Sequence, residues 1–88
     1  MYRFKVTTRY GEVLIDVDSE WRSTKPYVLS GSKLGINFLT KWLPFRNNSS
    51  GQRVDDKTSP YEMNYVLTQG VKNKEIPAFA LVEGVVPS

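Results

Sequence analysis

The chain contains neither cysteine nor histidine among its 88 residues. Without cysteine it forms no disulfide, has no thiolate nucleophile and offers no cysteine ligand to zinc. Without histidine it lacks the commonest general base, the commonest metal ligand and the side chain that titrates near neutral pH. These two absences remove most of the usual catalytic and metal-binding chemistry. We therefore expect a protein that is not an enzyme and that holds no metal and no cofactor.

Long apolar runs are also missing. No run approaches the roughly 18 residues that a membrane-spanning helix needs, and Met1 leads directly into a strand pattern without a basic and then apolar leader. We therefore expect a cytoplasmic protein that does not associate with membranes. A chain of this length, with 40% hydrophobic and 24% charged residues, is sufficient for a single domain over residues 1–88.

The net charge of +3 is unevenly distributed. Residues 20–57 hold seven basic and three acidic residues, whereas residues 1–19 are neutral and residues 58–88 carry a net charge of −1. The basic excess lies in the middle of the chain, where we expect any contact with an acidic surface or a phosphate backbone.

Residues 1–19 alternate apolar and polar side chains on either side of Tyr10-Gly11, which predicts a β-hairpin. In the expected register one face carries the pairs Phe4–Val17, Val6–Ile15 and Thr8–Val13. The other face carries three oppositely charged pairs, Arg3–Asp18, Lys5–Asp16 and Arg9–Glu12. A slip of one residue would place the apolar side chains in water, so the register is well specified. The charges of the hairpin cancel, which makes it a scaffold.

A short apolar segment predicts a third strand over 26–30, and Ser32 stands at the N-cap position of the next element. The four-residue spacing of Leu34, Phe38 and Trp42 predicts a helix over 33–43 that ends at Pro44, with Phe38 and Trp42 in the core. Gly35 weakens the helical pattern, and the alternation through this segment leaves a strand as the alternative.

Residues 44–58 have no periodicity and are rich in turn-forming residues, which predicts a long, polar and mobile loop. Ser59, Pro60 and Glu62 form a capping box that predicts a helix over 60–69, with Gly70 in the left-handed conformation after its last turn.

Residues 77–83 are almost continuously apolar, which predicts a strand in the middle of the sheet, beside the first strand. We thus predict an α+β fold in which a small antiparallel sheet has two helices packed on one face. The strands are expected over 2–9, 12–18, 26–30 and 77–83.

Two acidic clusters could suggest a catalytic or metal site. Asp16, Asp18 and Glu20 alternate near a strand end, as carboxylate ligands of magnesium can, but the hairpin register neutralises the two aspartates with Lys5 and Arg3. Asp55-Asp56-Lys57 lies in the long loop, where solvated charge is the simpler interpretation.

Basic residues alternate with aromatic ones through residues 21–57, a combination found in proteins that bind single-stranded nucleic acid. Trp21 stands beside Arg22 among polar residues, as an exposed binding hot spot would. The candidate partner-binding residues are Trp21, Arg22, Lys25, Lys41, Arg46, Arg53 and Lys57.

The order Lys25-Pro26-Tyr27, a later tyrosine-bearing segment and Val86-Pro87 resembles small filamentous-phage single-strand-binding proteins. That resemblance implies an all-β fold and direct binding of nucleic acid. The residues are scattered and form no motif, so no site residue is carried over, and the capping box at Ser59 conflicts with an all-β fold.

In size and economy the chain is similar to the small inhibitors that bacterial viruses make against host machinery, anti-CRISPR proteins among them. We expect a non-enzymatic binding module that occupies the surface of a protein or a protein–nucleic-acid complex. The alternative is a small single-stranded nucleic-acid-binding protein that uses residues 21–57. The sequence leaves the oligomeric state open, including a homodimer through an exposed edge of the 12–18 strand.

Overall fold

The N-terminal hairpin consists of strand β1 (Tyr2–Thr8) and strand β2 (Gly11–Val17). In this computed structural model, which describes residues 1–20 and 23–86, Phe4 faces Ile15 and Val6 faces Val13. The predicted register was therefore wrong by two residues. Because side chains alternate with a period of two, a shift of two leaves every residue on its predicted face.

The turn explains the shift. Thr8 pairs with Gly11, so the loop between the strands is Arg9-Tyr10. The Thr8 hydroxyl donates to the Gly11 carbonyl oxygen at 2.7 Å and accepts from the Tyr10 N–H at 3.0 Å. These two bonds close the hairpin one residue earlier on each strand than the alternation predicts.

The ion pairs change with the register. Arg3 is bonded to Asp16 instead of Asp18, with Nε–Oδ1 at 2.7 Å and Nη2–Oδ2 at 3.0 Å. Lys5 Nζ lies 3.4 Å from Glu12 Oε2, whereas the predicted partner of Lys5 was Asp16. The predicted pairs of Arg3, Lys5 and Arg9 were therefore wrong. The charged face of the hairpin is still largely neutralised, as a scaffold requires.

Strand β3 (Val28–Gly31) and strand β4 (Ala78–Glu83) complete one antiparallel sheet in the order β3-β2-β1-β4. The prediction that the last strand lies beside β1 is confirmed. Its predicted central position is wrong, since β4 is an edge strand. Ala78 and Ala80 face solvent on this strand. Because alanine is small, it can be exposed at little cost, so the sequence of an edge strand can still be continuously apolar. The predicted free edge on β2 is also wrong, because β2 lies between β1 and β3.

Helix α1 (Lys33–Trp42) begins as predicted at Ser32, whose hydroxyl accepts from the Gly35 N–H at 3.3 Å. The strand alternative for this segment is excluded. Leu34 is 64% exposed and does not belong to the buried stripe, which contains Gly35, Leu39 and Trp42. A Cβ at Gly35 would lie 2.6 Å from Val13 Cγ2, so glycine is what allows the helix to approach β2 this closely.

Helix α2 (Pro60–Lys72) follows a 3-10 turn at Leu43–Phe45 and the 44–58 loop. Ser59 caps it by accepting from the Glu62 N–H at 3.4 Å, as predicted. The helix does not end at Gly70, which is buried inside its last turn. The left-handed residue is Lys74, with φ of 60°.

The core lies between the helices and one face of the sheet. Five sheet residues predicted for this face are fully buried: Phe4, Val6, Val13, Ile15 and Val17. They pack with apolar residues of both helices, among them Leu39, Met63 and Leu67. The predicted α+β fold with both helices on one face is thus confirmed. The all-β fold implied by the phage-protein resemblance is wrong.

The longest helix in the described part of the chain, α2, has 13 residues. Neither α1 nor α2 is long and apolar enough to cross a membrane.

Candidate functional site

The 44–58 loop is folded around a tight turn. The Asn48 N–H donates to the Gln52 carbonyl at 2.7 Å, and the Gly51 N–H donates to the Asn48 carbonyl at 3.0 Å. The side-chain oxygen of Asn48 accepts from the N–H groups of Ser50 and Gln52. Asn47 and Arg53 form a β-bridge below this turn. The loop is in effect a miniature hairpin whose asparagine organises the tip.

Three anchors tie this loop to the rest of the molecule. Val54 is 5% exposed and belongs to the hydrophobic core; within the loop, its N–H donates to the Arg46 carbonyl at 3.0 Å. Ser49 donates from both its N–H and its hydroxyl to the Glu62 carboxylate, at 2.8 Å each. Thr58 is buried at the other end, with 8% exposure. We call residues 44–58, with these contacts, the braced loop; its mobility stays a prediction.

A polar cleft of about 450 Å³ lies between the braced loop and the start of α2. Two of the candidate partner-binding residues, Arg53 and Lys57, line it together and are exposed. Asp55 and Glu62 also line the cleft, so it contains both signs of charge. Hydroxyl and amide groups line the rest. Such a surface suits hydrogen-bonding groups of a partner better than an apolar ligand.

Arg46 is held inward by α1 and by the segment that leads into β4. Its Nη1 donates to both carboxylate oxygens of Glu75, at 2.9 and 2.7 Å. Its guanidinium carbon lies 5.6 Å from the centroid of the Trp42 ring, within cation–π range. Most of the charge of Arg46 is therefore neutralised within the molecule, and its role in partner binding stays a prediction.

A second cleft, of about 270 Å³, lies beside this ion pair. The 66% exposed Phe45 lines it, together with Tyr65 and Gln69 of α2 and with Asn73, which follows the helix. The sequence-based set of candidate residues did not include Phe45. The sequence feature that could have identified Phe45 is its position after Pro44. The apolar stripe of the helix has ended there, so the pattern does not assign this aromatic side chain to the core.

The remaining candidate residues lie apart. Lys25 is exposed, and its Nζ is 3.7 Å from Asp18 Oδ2. Lys41 is exposed in the last turn of α1. Neither lines the two clefts described above. Trp21 and Arg22 lie outside the described residues. Of the candidate set, Arg53 and Lys57 are thus the pair that the fold brings into one cleft.

Among the described aromatic residues near the cations, Phe45 is exposed, whereas Phe38 and Trp42 pack against each other. Trp42 is buried, and the half-buried Phe38 stacks on it at 6.4 Å with an interplanar angle of 17°. Tyr10 belongs to the hairpin turn, and its ring centroid lies 5.8 Å from that of Phe38. These rings pack as predicted for core residues, so they do not form an exposed platform for nucleobases.

The acidic clusters engage neighbouring groups. The hydrogen bonds from Arg3 lower the pKa of Asp16, and Asp18 accepts the N–H of Glu20 at 3.0 Å. Within residues 1–20 and 23–86, no three acidic side chains are grouped so that they could hold a metal ion. The Asp56 carbonyl accepts the Tyr27 N–H at 2.8 Å. Burial, together with the nearby charges of Asp56 and Asp55, raises the pKa of Tyr27.

Comparison with protein-family models, curated proteins and solved structures finds no match to this chain.

Proposed function

We propose that this protein is a non-enzymatic binding module that occupies the surface of a macromolecular partner through the braced loop. The observation that carries the proposal is that hydrogen bonds hold the backbone of this loop while its basic side chains are exposed. The backbone of the loop is held by Asn48, Val54 and Ser49, while Arg53 and Lys57 are exposed. Polar loops on a rigid scaffold are common binding elements.

Preorganisation is the physical advantage of this arrangement. Ordering a flexible side chain at an interface costs roughly 0.5–1.5 kcal/mol, and ordering a loop backbone adds to this. The hydrogen bonds at Asn48 and Ser49 meet the backbone part of that cost before a partner arrives. Phe45, at the start of the braced loop, supplies an exposed aromatic anchor, and aromatic residues dominate binding energy at many interfaces.

The charges indicate the partner. Arg53 and Lys57 favour an acidic surface, which points to a protein or a protein–nucleic-acid complex. An inhibitor of nucleic-acid-handling or defence machinery in the cytoplasm, as anti-CRISPR proteins are, is the narrower form of this proposal. In either form the module acts by covering the partner surface rather than by chemistry.

Site-specific photo-crosslinking in the source cell tests the proposal. A photoreactive residue at Phe45, Arg53 or Lys57 should crosslink to one discrete partner. The same residue at Arg9 or Lys33, which are exposed near the other end of α1, should not. Equal crosslinking from both groups of positions, or none from either, would refute an interface at the braced loop.

Charge reversal provides the quantitative test. The double variant R53E/K57E should weaken binding to the crosslinked partner by roughly tenfold or more, since like charges then face each other. The variant R9E/K33E has the same net charge and should bind as the unmodified protein does. Arg46 is unsuitable for this test, because its substitution would also break the ion pair with Glu75.

Direct nucleic-acid binding is the competing outcome. If the partner were single-stranded nucleic acid, a fluorescent oligo-dT probe should bind at low salt. Its affinity should fall with a log–log slope of about −0.7 per neutralised phosphate. We expect no such binding, since the rings of Phe38 and Trp42 are packed against each other.

A further inference from the structure

Arg46 uses only part of its guanidinium group to bind Glu75. Both hydrogen bonds between the two side chains come from Nη1, which lies 2.9 and 2.7 Å from the carboxylate oxygens. The Arg46 Nε atom is buried and has no hydrogen-bond partner among the described residues. A buried donor without an acceptor is unfavourable and uncommon in folded proteins. The Nε edge of this guanidinium can therefore take a further acceptor.

Arg3 shows what the same edge does elsewhere in this molecule. Its Nε lies 2.7 Å from Asp16 Oδ1, and its Nη2 lies 3.0 Å from Asp16 Oδ2. Such a pair of parallel hydrogen bonds is a frequent and strong contact between arginine and a carboxylate. Glu75 does not make this contact with Arg46, because both of its oxygens are bonded to Nη1. The Nε edge of Arg46 thus has the geometry to receive a second carboxylate.

The guanidinium of Arg46 belongs to the wall of the cleft of about 270 Å³ beside the ion pair. The Arg46 side chain is 32% exposed, although its Nε is covered, so a ligand at Nε requires a small rearrangement of this wall. Phe45 precedes Arg46, lines the same cleft and is 66% exposed. Exposed side chains change rotamer quickly, so the Phe45 ring can make room for a ligand.

The charges around this cleft favour an anion. Asn73 lines the cleft, and the exposed Lys72 and Lys74 stand on either side of it in the chain. Among the lining residues and their immediate neighbours in sequence, Arg46, Lys72 and Lys74 carry positive charge, and Glu75 carries negative charge. Three positive charges against one leave a net charge of +2 with the ion pair intact. A carboxylate is attracted to such a surface.

The rest of the cleft suits the last residue of a polypeptide. Phe45 and Tyr65 offer ring surfaces to an apolar side chain. Side-chain amides, which both donate to and accept from a peptide group, come from Asn47, Gln69 and Asn73. A C-terminal residue with an apolar side chain combines a carboxylate, an apolar group and a peptide bond within one residue. An aspartate or glutamate side chain supplies the carboxylate without the apolar group.

We propose that this cleft binds the C-terminal carboxylate of a partner chain that ends in an apolar residue, with the Nε edge of Arg46 as the donor. The inference rests on the function proposed above, because it takes the ligand from a protein partner. The site is tested with small molecules and the braced-loop interface by crosslinking, so the failure of one is distinguishable from the failure of the other.

The probe is N-acetylphenylalanine, which contains a carboxylate, a ring and one peptide group. Titrated into the ¹⁵N-labelled protein, it should shift the NMR signal of the Arg46 Nε–H group saturably at millimolar concentration. The Trp42 indole signal should shift with it, because the guanidinium carbon lies 5.6 Å from the ring centroid. N-acetylphenylalanine amide lacks the carboxylate and acetate lacks the ring, so each should bind roughly fivefold more weakly or worse.

Three results of the titration would overturn the proposal. The first is no saturable shift with N-acetylphenylalanine, and the second is equal binding of its amide. The third is tighter binding of N-acetylglutamic acid α-amide, which would assign the site to an acidic side chain instead of a chain terminus.

Two variants test the role of the cleft wall. R46K keeps the positive charge but removes the two-donor edge, and it should weaken binding of N-acetylphenylalanine by roughly tenfold. N73D adds a carboxylate to the wall and should weaken binding by roughly threefold or more. N37D makes the same charge change at an exposed position of α1 that lines neither cleft, and it should bind as the unmodified protein does.

Thermal unfolding shows whether each variant is folded, and the comparison of N73D with N37D decides the matter if R46K is not. Unchanged binding by a folded R46K overturns the proposal, as does an equal loss of binding in N73D and N37D.

Discussion

Gly70 and Trp42 show how a single missing side chain sets the packing of the helices. A Cβ on Gly70 would lie 2.7 Å from Trp42 Cη2 and Cζ2, and 3.2 Å from Ile76 Cγ1. The Trp42 ring is buried, with the Phe38 ring stacked on it and the Arg46 guanidinium carbon 5.6 Å from its centroid. Glycine at this position is therefore required by the approach of α1 to α2, and the helix continues through it.

We predict that G70A lowers the free energy of unfolding by roughly 1–3 kcal/mol, as overpacking does. Alanine is the better helix former by about 1 kcal/mol, so the sign of the change distinguishes packing from propensity. Urea denaturation measures it. The exposed K72A should change stability by less than about 0.5 kcal/mol.

The double variant G70A/W42F is the matched test of the cause. Phenylalanine lacks the distal indole atoms that a Cβ at Gly70 would meet, so it should relieve part of the overpacking. A G70A protein that is as stable as the unmodified one, or more stable, would show that Trp42 moves aside easily.

Asp16 makes the protein sensitive to acid in a defined way. Hydrogen bonds from Arg3 lower its folded-state pKa. Its contribution to stability is therefore complete above the unfolded-state pKa of about 3.9. It is lost as the pH falls from there through the folded-state pKa.

The variant D16N should thus be less stable than the unmodified protein at neutral pH, and the difference should shrink as the pH falls below about 4. Urea denaturation at a series of pH values measures both. E20Q, which alters an exposed carboxylate outside this ion pair, is the control for the loss of one negative charge. If the free energies of unfolding of D16N and of the unmodified protein differed by the same amount at every pH, the ionised Asp16 would not be the source of the acid sensitivity.

The two helix caps differ in what they connect. Ser59 accepts from Glu62 N–H within its own element. Ser32 accepts from Gly35 N–H and also donates to the Tyr10 carbonyl at 2.8 Å, which ties the start of α1 to the hairpin turn. The second serine therefore has a local and a long-range role.

We predict that S59A destabilises the protein by about 1 kcal/mol, as removal of an N-cap does. S32A should lower the free energy of unfolding by about 1 kcal/mol more than S59A does, because it also removes the hydrogen bond from Ser32 to the Tyr10 carbonyl. Chemical denaturation of both variants gives the comparison. If S59A were the more damaging substitution, the contact between Ser32 and Tyr10 would contribute little.

Local signals explain which elements were predictable. Capping serines, a proline stop and alternating side chains act within a few residues, so the four strands and two α-helices of the described residues were predicted with the correct type. The 3-10 turn at Leu43–Phe45 was not predicted. The hairpin register was not predicted correctly either, because two registers differing by two residues place the same side chains on each face. The hydrogen bonds of Thr8 decide between them.

The site was predictable only in part, for a similar reason. Two of the residues named from the basic excess of the middle segment, Arg53 and Lys57, line one cleft, and their role in partner binding stays a prediction. The partner of Arg46 is Glu75, 29 residues away, and no local pattern reveals such a pairing. Phe45 was missed because its exposure depends on where the 3-10 turn directs the chain after Trp42.

The molecule as a whole combines two central strands with peripheral loops, and its local stability should vary accordingly. β1 and β2 are each paired on both sides, so their amides should exchange most slowly with solvent. The N–H groups of Val54 and Tyr27 are bonded to Arg46 and Asp56 and should show intermediate protection.

Hydrogen exchange followed by NMR tests this order. The amide of Arg9, in the exposed hairpin turn, is the control and should exchange fast. Val54 and Tyr27 amides that exchange as fast as Arg9 would show that the loop opens independently, as the sequence-based prediction of mobility expects. Protection of both amides would support a binding loop that is formed in advance.

The strand order also determines when the fold can be completed. Of the described strands, β1 is synthesised first and β4 last, yet the two are neighbours in the sheet. During synthesis, one edge of β1 therefore remains unpaired until β4 has emerged from the ribosome. A nascent chain interrupted before Ala78 exposes that edge, and unpaired strand edges are where incomplete chains associate. Emergence of β4 is thus the step that covers β1 and protects the growing sheet from misassembly.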